Sequence, residues 1–445
     1  MNFTQSNKYY WREERLQNIA ELRTSNVDKK SAEGEQPVRL CNYVDVYKND
    51  KVTMTLDFME ATASNAQIER FNLQVDDVVI TKDSESPDDI GIPALIAETA
   101  PDLVCGYHLT ILRPYKDKAV GSYLAYALCS RLSTYQFYLA ANGVTRFGLT
   151  YQETKNIRIT LPPLDEQRRI AAFLDWKTGQ IDALIARKQA LLEMLKEKRL
   201  AVITQAVSRG LDPSLPLRDS GIPWLGKVPE HWEVRRLKFA VTCNDESLSE
   251  TTEADYEIAY VDISSVNLVE GVTTIEALLF EDAPSRARRI VRAGDTIIST
   301  VRTYLKAITA IKKPTNNMIV STGFAVVRPQ GFINSDFLGY ALQSTGFIGE
   351  VVANSMGVSY PAINPTALVC LPFCYPVDKK EQQQIVVYLD AEIRKLNTLE
   401  AKVLNAIERL QEYRTALITA ATTGKIDVHN VKNPQPTLNP KTSST

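Results

Sequence analysis

The chain has little of what metal and hydrolytic chemistry need. It holds three histidines (His108, His231 and His429) and six cysteines (Cys41, Cys105, Cys129, Cys243, Cys370 and Cys374), with no C-x-x-C pair. Ligands scattered in this way argue against a zinc site. They argue equally against a Ser/His/Asp arrangement, and no G-x-S-x-G elbow is present. Phosphate cradles are missing: Gly226-Lys227 and Gly424-Lys425 are followed by Val and Ile, and no G-x-G-x-x-G follows a strand. With no run of 18 apolar residues and no signal peptide, the expected setting is the cytoplasm, without a membrane and with reduced thiols. A formal net charge of −2 argues against coating nucleic acid by bulk charge, and leaves room for a local basic face or for DNA binding shared with a partner. Carboxylates are plentiful but follow no motif. Asp76-Asp77 and Asp88-Asp89 read as turn residues, and Glu166 and Glu381 as carboxylates favoured by a helix N-terminus.

Glycine and proline are also nearly absent from two stretches, Asp165 to Val207 and Lys380 to Thr422, which are rich in Ala, Leu, Glu, Lys, Gln and Arg. This is helix-favouring composition. The stretches repeat one another without a gap. Glu166-Gln167 recurs as Glu381-Gln382, 215 positions on, and Ile170, Leu174-Asp175, Leu195, Arg199 and Ile203-Thr204 recur as Ile385, Leu389-Asp390, Leu410, Arg414 and Ile418-Thr419. A period this long is not a solenoid's; it marks two halves of one design, each ending in a long helix. The apolar seam steps by three and four through Leu396, Leu399, Val403, Ala406, Leu410, Tyr413 and Leu417. Its counterpart is Ile181, Leu184, Lys188, Leu191, Leu195, Lys198 and Val202. Each run of roughly 40 residues could reach about 60 Å. A single such run would read as an ordinary coiled-coil oligomeriser. Two at matched places, with unlike seams, favour pairing within the chain.

At 445 residues, with 44% hydrophobic and 23% charged residues, the chain has room for two or three soluble domains. Residues 1–163 mix short helices (Leu16 to Leu22, Ser122 to Leu132) with strand-like runs (Val38 to Val44, Val78 to Thr81, Tyr107 to Leu112, Ile157 to Leu161), which predicts an α/β or α+β domain with a mixed sheet. A helical region, 164–207, follows. Breakers from Gly210 to Pro229 mark a linker over 208–231. Residues 232–376 repeat the first region in outline: Gly294 to Ile298 echoes Asp76 to Ile80, Phe324 to Pro329 echoes Leu109 to Pro114, Phe337 to Leu342 echoes Tyr123 to Leu128, and Gly357 to Tyr360 is matched to Gly148 to Tyr151. A second helical region covers 377–424. The tail, 425–445, is polar and is expected to be disordered from about Asn433.

Basic residues cluster at Arg286, Arg288, Arg289 and Arg292, followed by Arg302 and Lys306; Lys82, Arg113, Lys116, Lys118, Arg131 and Arg146 are candidates in the first half. Such side chains neutralise phosphates, and arginine can read guanine. They would equally form a solvated face. Thr81-Lys82-Asp83-Ser84 and Thr300-Val301-Arg302-Thr303 end matched strands and mix the hydroxyl, acid and base groups that suit base edges; Tyr360 joins the candidates.

Three segments together resemble the DNA-specificity subunit of type I restriction–modification systems: Gly221-Ile-Pro-Trp-Leu-Gly-Lys-Val-Pro-Glu-His-Trp-Glu-Val-Arg-Arg-Leu237, Leu161-Pro-Pro-Leu-Asp-Glu-Gln-Arg-Arg-Ile-Ala-Ala-Phe-Leu-Asp175 and Asp77 to Gly91. The likeness runs from about Trp11 to Asp427. The amino terminus keeps only Trp11 of the lead-in, and the second domain's exit, Leu371 to Gln382, is longer. The resemblance implies two similar target-recognition domains with mixed sheets, separated by an antiparallel coiled coil of the long helices, as an internal pseudo-two-fold repeat. It implies that each domain reads one half of a bipartite asymmetric site in double-stranded DNA, and that helix length sets the unread spacer. Two methyltransferase subunits would dock on this frame, with motor–nuclease subunits beside them. S-adenosylmethionine, ATP and Mg would sit on those partners and none on this chain, which would itself be non-catalytic. Replacing Arg302 or Lys82 by Ala would then weaken binding or relax one half-site while leaving the other intact. The competing class is a coiled-coil scaffold without sequence-selective DNA binding. A self-sufficient methyltransferase would need an Asn/Asp-Pro-Pro-aromatic motif, whereas Asp212-Pro213, Asn364-Pro365, Asn433-Pro434 and Asn439-Pro440 lack the second Pro and the aromatic.

Overall fold

The computed structural model describes residues 11–429. The expected disorder from about Asn433, and Tyr9-Tyr10 of the lead-in, lie outside that range. The chain divides into two compact units, one of Met1–Arg187 with Asn405–Thr445 and one of Lys188–Leu404. Both contain segments of two long helices, α1 (Leu164–Arg209, 46 residues) and α2 (Lys379–Thr422, 44 residues). At 1.5 Å per residue these are about 69 and 66 Å long. In the first unit Asp182 of α1 accepts from Arg414 of α2 at 2.9 Å, while Ile170 to Leu174 share a core with Ile418 and Ala421. In the second, Arg199 donates to Asn397, while Ile203 to Val207 share a core with Ile385 to Leu389. The helix segments are therefore antiparallel within each unit.

The seam differs from the expected one at every second step except Ala406, which is half-buried as expected. Ile181, Lys188, Leu195 and Val202 face inward or are half-buried, as do Leu396, Val403, Leu410 and Leu417. Leu184, Leu191, Lys198, Leu399 and Tyr413 are exposed, and their places are taken by Ile185, Leu192, Arg199, Glu400 and Arg414. The true stripe steps by four and then three. Arg199 and Arg414 fill it because each finds a partner: Arg414 pairs with Asp182 and Asp50, and Arg199 reaches Asn397 and the Val269 carbonyl. Burial pulls the Arg199 guanidinium below its ordinary range, with the Glu400 charge opposing.

The two units share one plan. In the first, a five-stranded sheet runs Ala20–Thr24, Leu109–Pro114, Val78–Thr81, Pro93–Ile96, Lys51–Val52, and a three-stranded sheet runs Met59–Ala63, Gln36–Cys41, Leu103–Cys105. In the second, Val241–Cys243, Phe324–Pro329, Thr296–Ser299 and Ile308–Ala310 form one sheet, and Glu276–Leu279, Glu257–Val261, Met318–Ser321 and Ala287–Ile290 another. Parallel pairs (Gln36–Cys41 with Leu103–Cys105, and Glu257–Val261 with Met318–Ser321) sit among antiparallel ones, so the sheets are mixed. The penultimate arginine of a strand is fixed in both: Arg113 grips Asp77 through two nitrogens, 2.8 and 2.7 Å, and Arg328 grips Asp295 at 2.8 and 2.8 Å.

Several local expectations give way. The run Val38 to Val44 ends as a strand at Cys41, because Asn42 and Asp45 form a reciprocal capping box that starts helix Tyr43–Tyr47. Ser122 to Leu132 is two helices, Gly121–Leu128 and Arg131–Ala140, separated where Ser130 Oγ accepts from the Ser133 amide. Leu16 to Leu22 is one short turn, Leu16–Ile19, running into a strand. Of residues 425–429, placed in the tail, Val428 is buried in the first unit's core and Ile426 packs against it.

The repeated Glu-Gln pair has a physical reason. Gln167 and Gln382 are wholly buried. Gln167 accepts from the Val120 amide at 2.9 Å and donates to the Pro162 and Lys118 carbonyls; Gln382 accepts from the Asn334 amide at 2.7 Å and donates to the Pro376 and Phe332 carbonyls. Each therefore ties a long helix to its unit. Glu381, expected to serve the helix dipole, accepts from Trp232 Nε1 at 2.9 Å and pairs with His231, and Glu166 pairs with His429.

Candidate nucleic-acid interface

Strand Val78–Thr81 leaves its sheet into residues 82–86, and strand Thr296–Ser299 into residues 300–306. A second loop crosses each exit. In the first unit Phe147 and Gly148 pair with Ser84 and Asp83, and Leu149 donates to the Lys82 carbonyl at 2.8 Å. In the second, Ala362 pairs with Val301, and Ile363 donates to the Thr300 carbonyl at 2.8 Å. Both crossing loops close through one bridge, Asn142 with Gly148 and Met356 with Ala362. This register matches Gly143-Val144-Thr145-Arg146 to Gly357-Val358-Ser359-Tyr360, so the sequence matching of Gly357 to Gly148 is off by five. The glycines carry positive φ, +145° and +109°, which lets the chain turn where a Cβ at Gly143 would strike the Arg146 carbonyl at 2.0 Å. The turns present Val144 and Val358 almost wholly to solvent, at 92% and 101% exposure. Paired, fully exposed valines at one turn have no packing reason to be there.

The candidate residues separate into those at the crossing and those held elsewhere. Lys82, Asp83, Ser84 and Arg146 meet there. Arg146 Nη2 donates to Asp83 Oδ1 at 2.8 Å, and His108 Nδ1 lies 2.7 Å from Asp83 Oδ2. Arg302, Thr303, Lys306 and Tyr360 meet in the second unit. Arg302 stacks over the Tyr360 ring, 5.1 Å from its centroid, and the Thr303 and Ser355 hydroxyls share a hydrogen bond of 2.8 Å. Arg302 and Lys306 both adopt left-handed backbone, φ +50° and +53°, around a single 3₁₀ turn, Thr303–Leu305. The hydrogen bond to the Asp83 carboxylate raises the affinity of the Arg146 guanidinium for its proton.

Elsewhere, most of the candidate positive charge is already engaged. Arg113 is committed to Asp77, Arg292 to Glu246, and Arg286 to Tyr260 and Asp262. Arg288 lies over the Phe280 ring at 4.6 Å, and Arg289 is half-buried in strand Ala287–Ile290. Lys118 donates to the Asn18 carbonyl; Lys116 and the Arg131 side chain are exposed, and it is the Arg131 backbone amide that donates to Thr419. Among the described residues no group of three or more His, Cys, Asp or Glu could hold a metal, and no helix is long and apolar enough to cross a membrane.

The family described as the type I restriction modification DNA specificity domain matches the sequence twice, over residues 10–194 and 229–409. The chain belongs to that family. Two curated relatives are specificity subunits of type I restriction enzymes: MjaVIII of Methanocaldococcus jannaschii, 24% identical over 284 residues (62% of this chain, 64% of the relative), and StySPI of Salmonella potsdam, 25% identical over 276 residues (61% and 58%). The chain thus spans about six tenths of the length of each. A chain from a solved structure concerned with complex assembly and conformational transition of the type I R-M system shares the fold, with a TM-score of 0.67 at 18% identity, covering 94% of this chain and 98% of that one.

Within this specificity-domain frame, sequence reading missed His108, Val144, Val358 and the aromatic group Tyr43, Tyr47 and Tyr107. Tyr107 lies 3.7 Å from His108 by ring centroids, and Tyr43 stacks on Tyr47 at 5.3 Å. The signal for the valines was present: Gly-Val-Thr and Gly-Val-Ser recur at 143 and 357, nearly at the repeat spacing.

Proposed function

We propose that this chain is the sequence-reading, non-catalytic subunit of a type I restriction–modification complex, and that each unit reads one half of a bipartite asymmetric DNA site through its crossing loops. The observation that carries this reading is that both family-matched halves build the same two-loop crossing and then fill it with different side chains. Asp83, Arg146 and His108 occupy the first; Arg302, Tyr360 and Thr303 occupy the second. A shared frame with unlike tips is what two different half-sites require. Loops that offer donors, acceptors and apolar tips suit the major groove, where base pairs differ in all three.

Partners supply the chemistry in this reading. Methyltransferase subunits carry S-adenosylmethionine and methylate adenine, and motor–nuclease subunits carry ATP and Mg. The helix residues that turn away from the seam (Leu184, Leu191, Met194, Leu399, Leu404 and Tyr413) are exposed apolar groups suited to docking a helical partner. The test is co-expression with candidate methyltransferase subunits, followed by single-molecule sequencing of host DNA. A split asymmetric motif methylated only when this chain is present is the expected result. Purification of the chain as a homo-oligomer that forms no complex and directs no methylation would replace this reading with a scaffold.

A further inference from the structure

The two crossings share a backbone but exchange the origin of their free arginine. Residue 146 of the first unit aligns with Tyr360 of the second, and Ser84 aligns with Arg302. In the first unit the arginine comes from the glycine turn and is braced by the strand-exit loop; in the second it comes from the strand-exit loop and is braced by the glycine turn. We propose that Arg146 and Arg302 are the guanine-reading residues of their units, each addressing the N7 and O6 acceptors of one guanine in its half-site. This rests on the DNA-reading function proposed above.

The bracing is what marks these two. Arg146 is 60% exposed, yet one hydrogen of its Nη2 is spent on Asp83, a mostly buried carboxylate that His108 also contacts. Nη2 also lies 3.3 Å from His108 Nδ1; with that nitrogen donating to Asp83 Oδ2 at 2.7 Å it cannot accept, and the second Nη2 hydrogen and Nη1 then remain to form an end-on pair. Guanine is the base whose major-groove edge offers two adjacent acceptors; adenine puts a donor beside N7 and would oppose the arginine. Arg302 reaches the same state by stacking. A guanidinium lying on the exposed Tyr360 ring keeps its in-plane N–H groups free. Its left-handed backbone is uncommon for a side chain of this size, and among the described residues it has no carboxylate partner. Arg286, Arg292 and Arg328 lack this freedom, because each spends Nε as well as Nη2 on a carboxylate where Arg146 spends Nη2 alone; Arg288 is tied to its own strand and Phe280, and Arg289 is half-buried with its Nε turned inward. Asp83 is then a positioning residue, acting through Arg146.

The experiment uses the full chain in complex with its methyltransferase subunits. The wild-type motif is mapped first; then R146A, R302A and D83N complexes are mapped and titrated against duplexes carrying 7-deazaguanine, which lacks N7, at each guanine in turn. Wild type should lose roughly tenfold to a hundredfold in affinity at one substituted guanine per half-site. R146A should relax discrimination at that guanine in one half only, and R302A in the other half only, so the untouched half reports on folding in each variant. D83N should weaken discrimination at the same guanine as R146A and add nothing in the R146A background. Full guanine discrimination retained by both arginine variants, or a half-site without a G·C pair, would overturn the assignment while leaving DNA reading intact. A wild-type complex that methylates no split motif would instead bring down the functional reading, and this assignment with it.

Discussion

At the scale of single residues, two kinds of polar group, one buried and one half-buried, hold the units, and they respond to different perturbations. Gln167 satisfies one amide and two carbonyls that have no other partner among the described residues. Truncation leaves those groups unpaired, each costing about 1–3 kcal/mol. Q167A should therefore lower the first unit's stability by about 3 kcal/mol in urea unfolding, and Q382A should do the same for the second; a loss under about 0.5 kcal/mol would show that water replaces the amide. The second kind is ionic. Arg328 holds the Glu246 carboxyl below the usual carboxylate range by its hydrogen bond, burial pushes the other way, and Arg292 adds to the depression. A carboxyl whose folded value is depressed contributes stability that is present above its unfolded value and is lost as pH falls through the folded one. The second unit's melting temperature should accordingly stay level above about pH 5 and decline below roughly pH 4. R328M should flatten that acid slope; an unchanged slope would place the acid sensitivity elsewhere.

At the scale of elements, the helix seam decides what the long helices do. Ile181 and Ile407 are nearly buried, whereas Leu184, Leu191 and Leu399 point outward. Ile181→Ala or Ile407→Ala should cost about 2–4 kcal/mol. Leu184→Lys, Leu191→Lys and Leu399→Lys should change the chain's own unfolding by less than about 1 kcal/mol, and on the proposed function they should break association with a methyltransferase subunit in a pull-down. Equal destabilisation by both sets would restore the seam expected from sequence. That error has a physical origin. Both candidate stripes are partly apolar, and the true one carries Glu400 together with Arg199 and Arg414, and the burial of the two arginines is supported by partners that local sequence does not reveal. Long-range placement fails for the same reason at the loops. The helices, the repeat and the mixed sheets were legible because periodicity and an ungapped 215-residue offset are local or self-referential signals. That Asp83 meets Arg146, 63 residues away, while Arg113 is consumed by Asp77, depends on how the sheets close. Charge alone therefore ranked Arg113 and Arg146 as equals.

At the scale of the whole molecule, the order of the chain and the order of the fold disagree, and the disagreement can be tested. The second unit is one continuous stretch, Lys188–Leu404, and contains its own cores around Trp232, Phe337 and Phe347 and around Val261 and Phe324. The first unit is not continuous. Its core includes Ile418, Ala421 and Val428 from the far end of the chain; Tyr123 donates to the Thr422 carbonyl at 3.2 Å as well as to Thr160, and Trp11 lies against Gly424. Two large buried aliphatics are worth about 1.5–3 kcal/mol each, comparable in sum to a marginal domain's net stability of about 5 kcal/mol. Residues 188–404 expressed alone should unfold cooperatively and give a dispersed amide spectrum. Residues 1–187 alone should do neither, and should gain both when 405–445 is supplied as a fusion or added in trans. Cooperative folding of 1–187 by itself would mean that the distal helix covers a surface the first unit can leave open. Failure of 188–404 would mean that the second unit depends on the helix segments beyond its own limits.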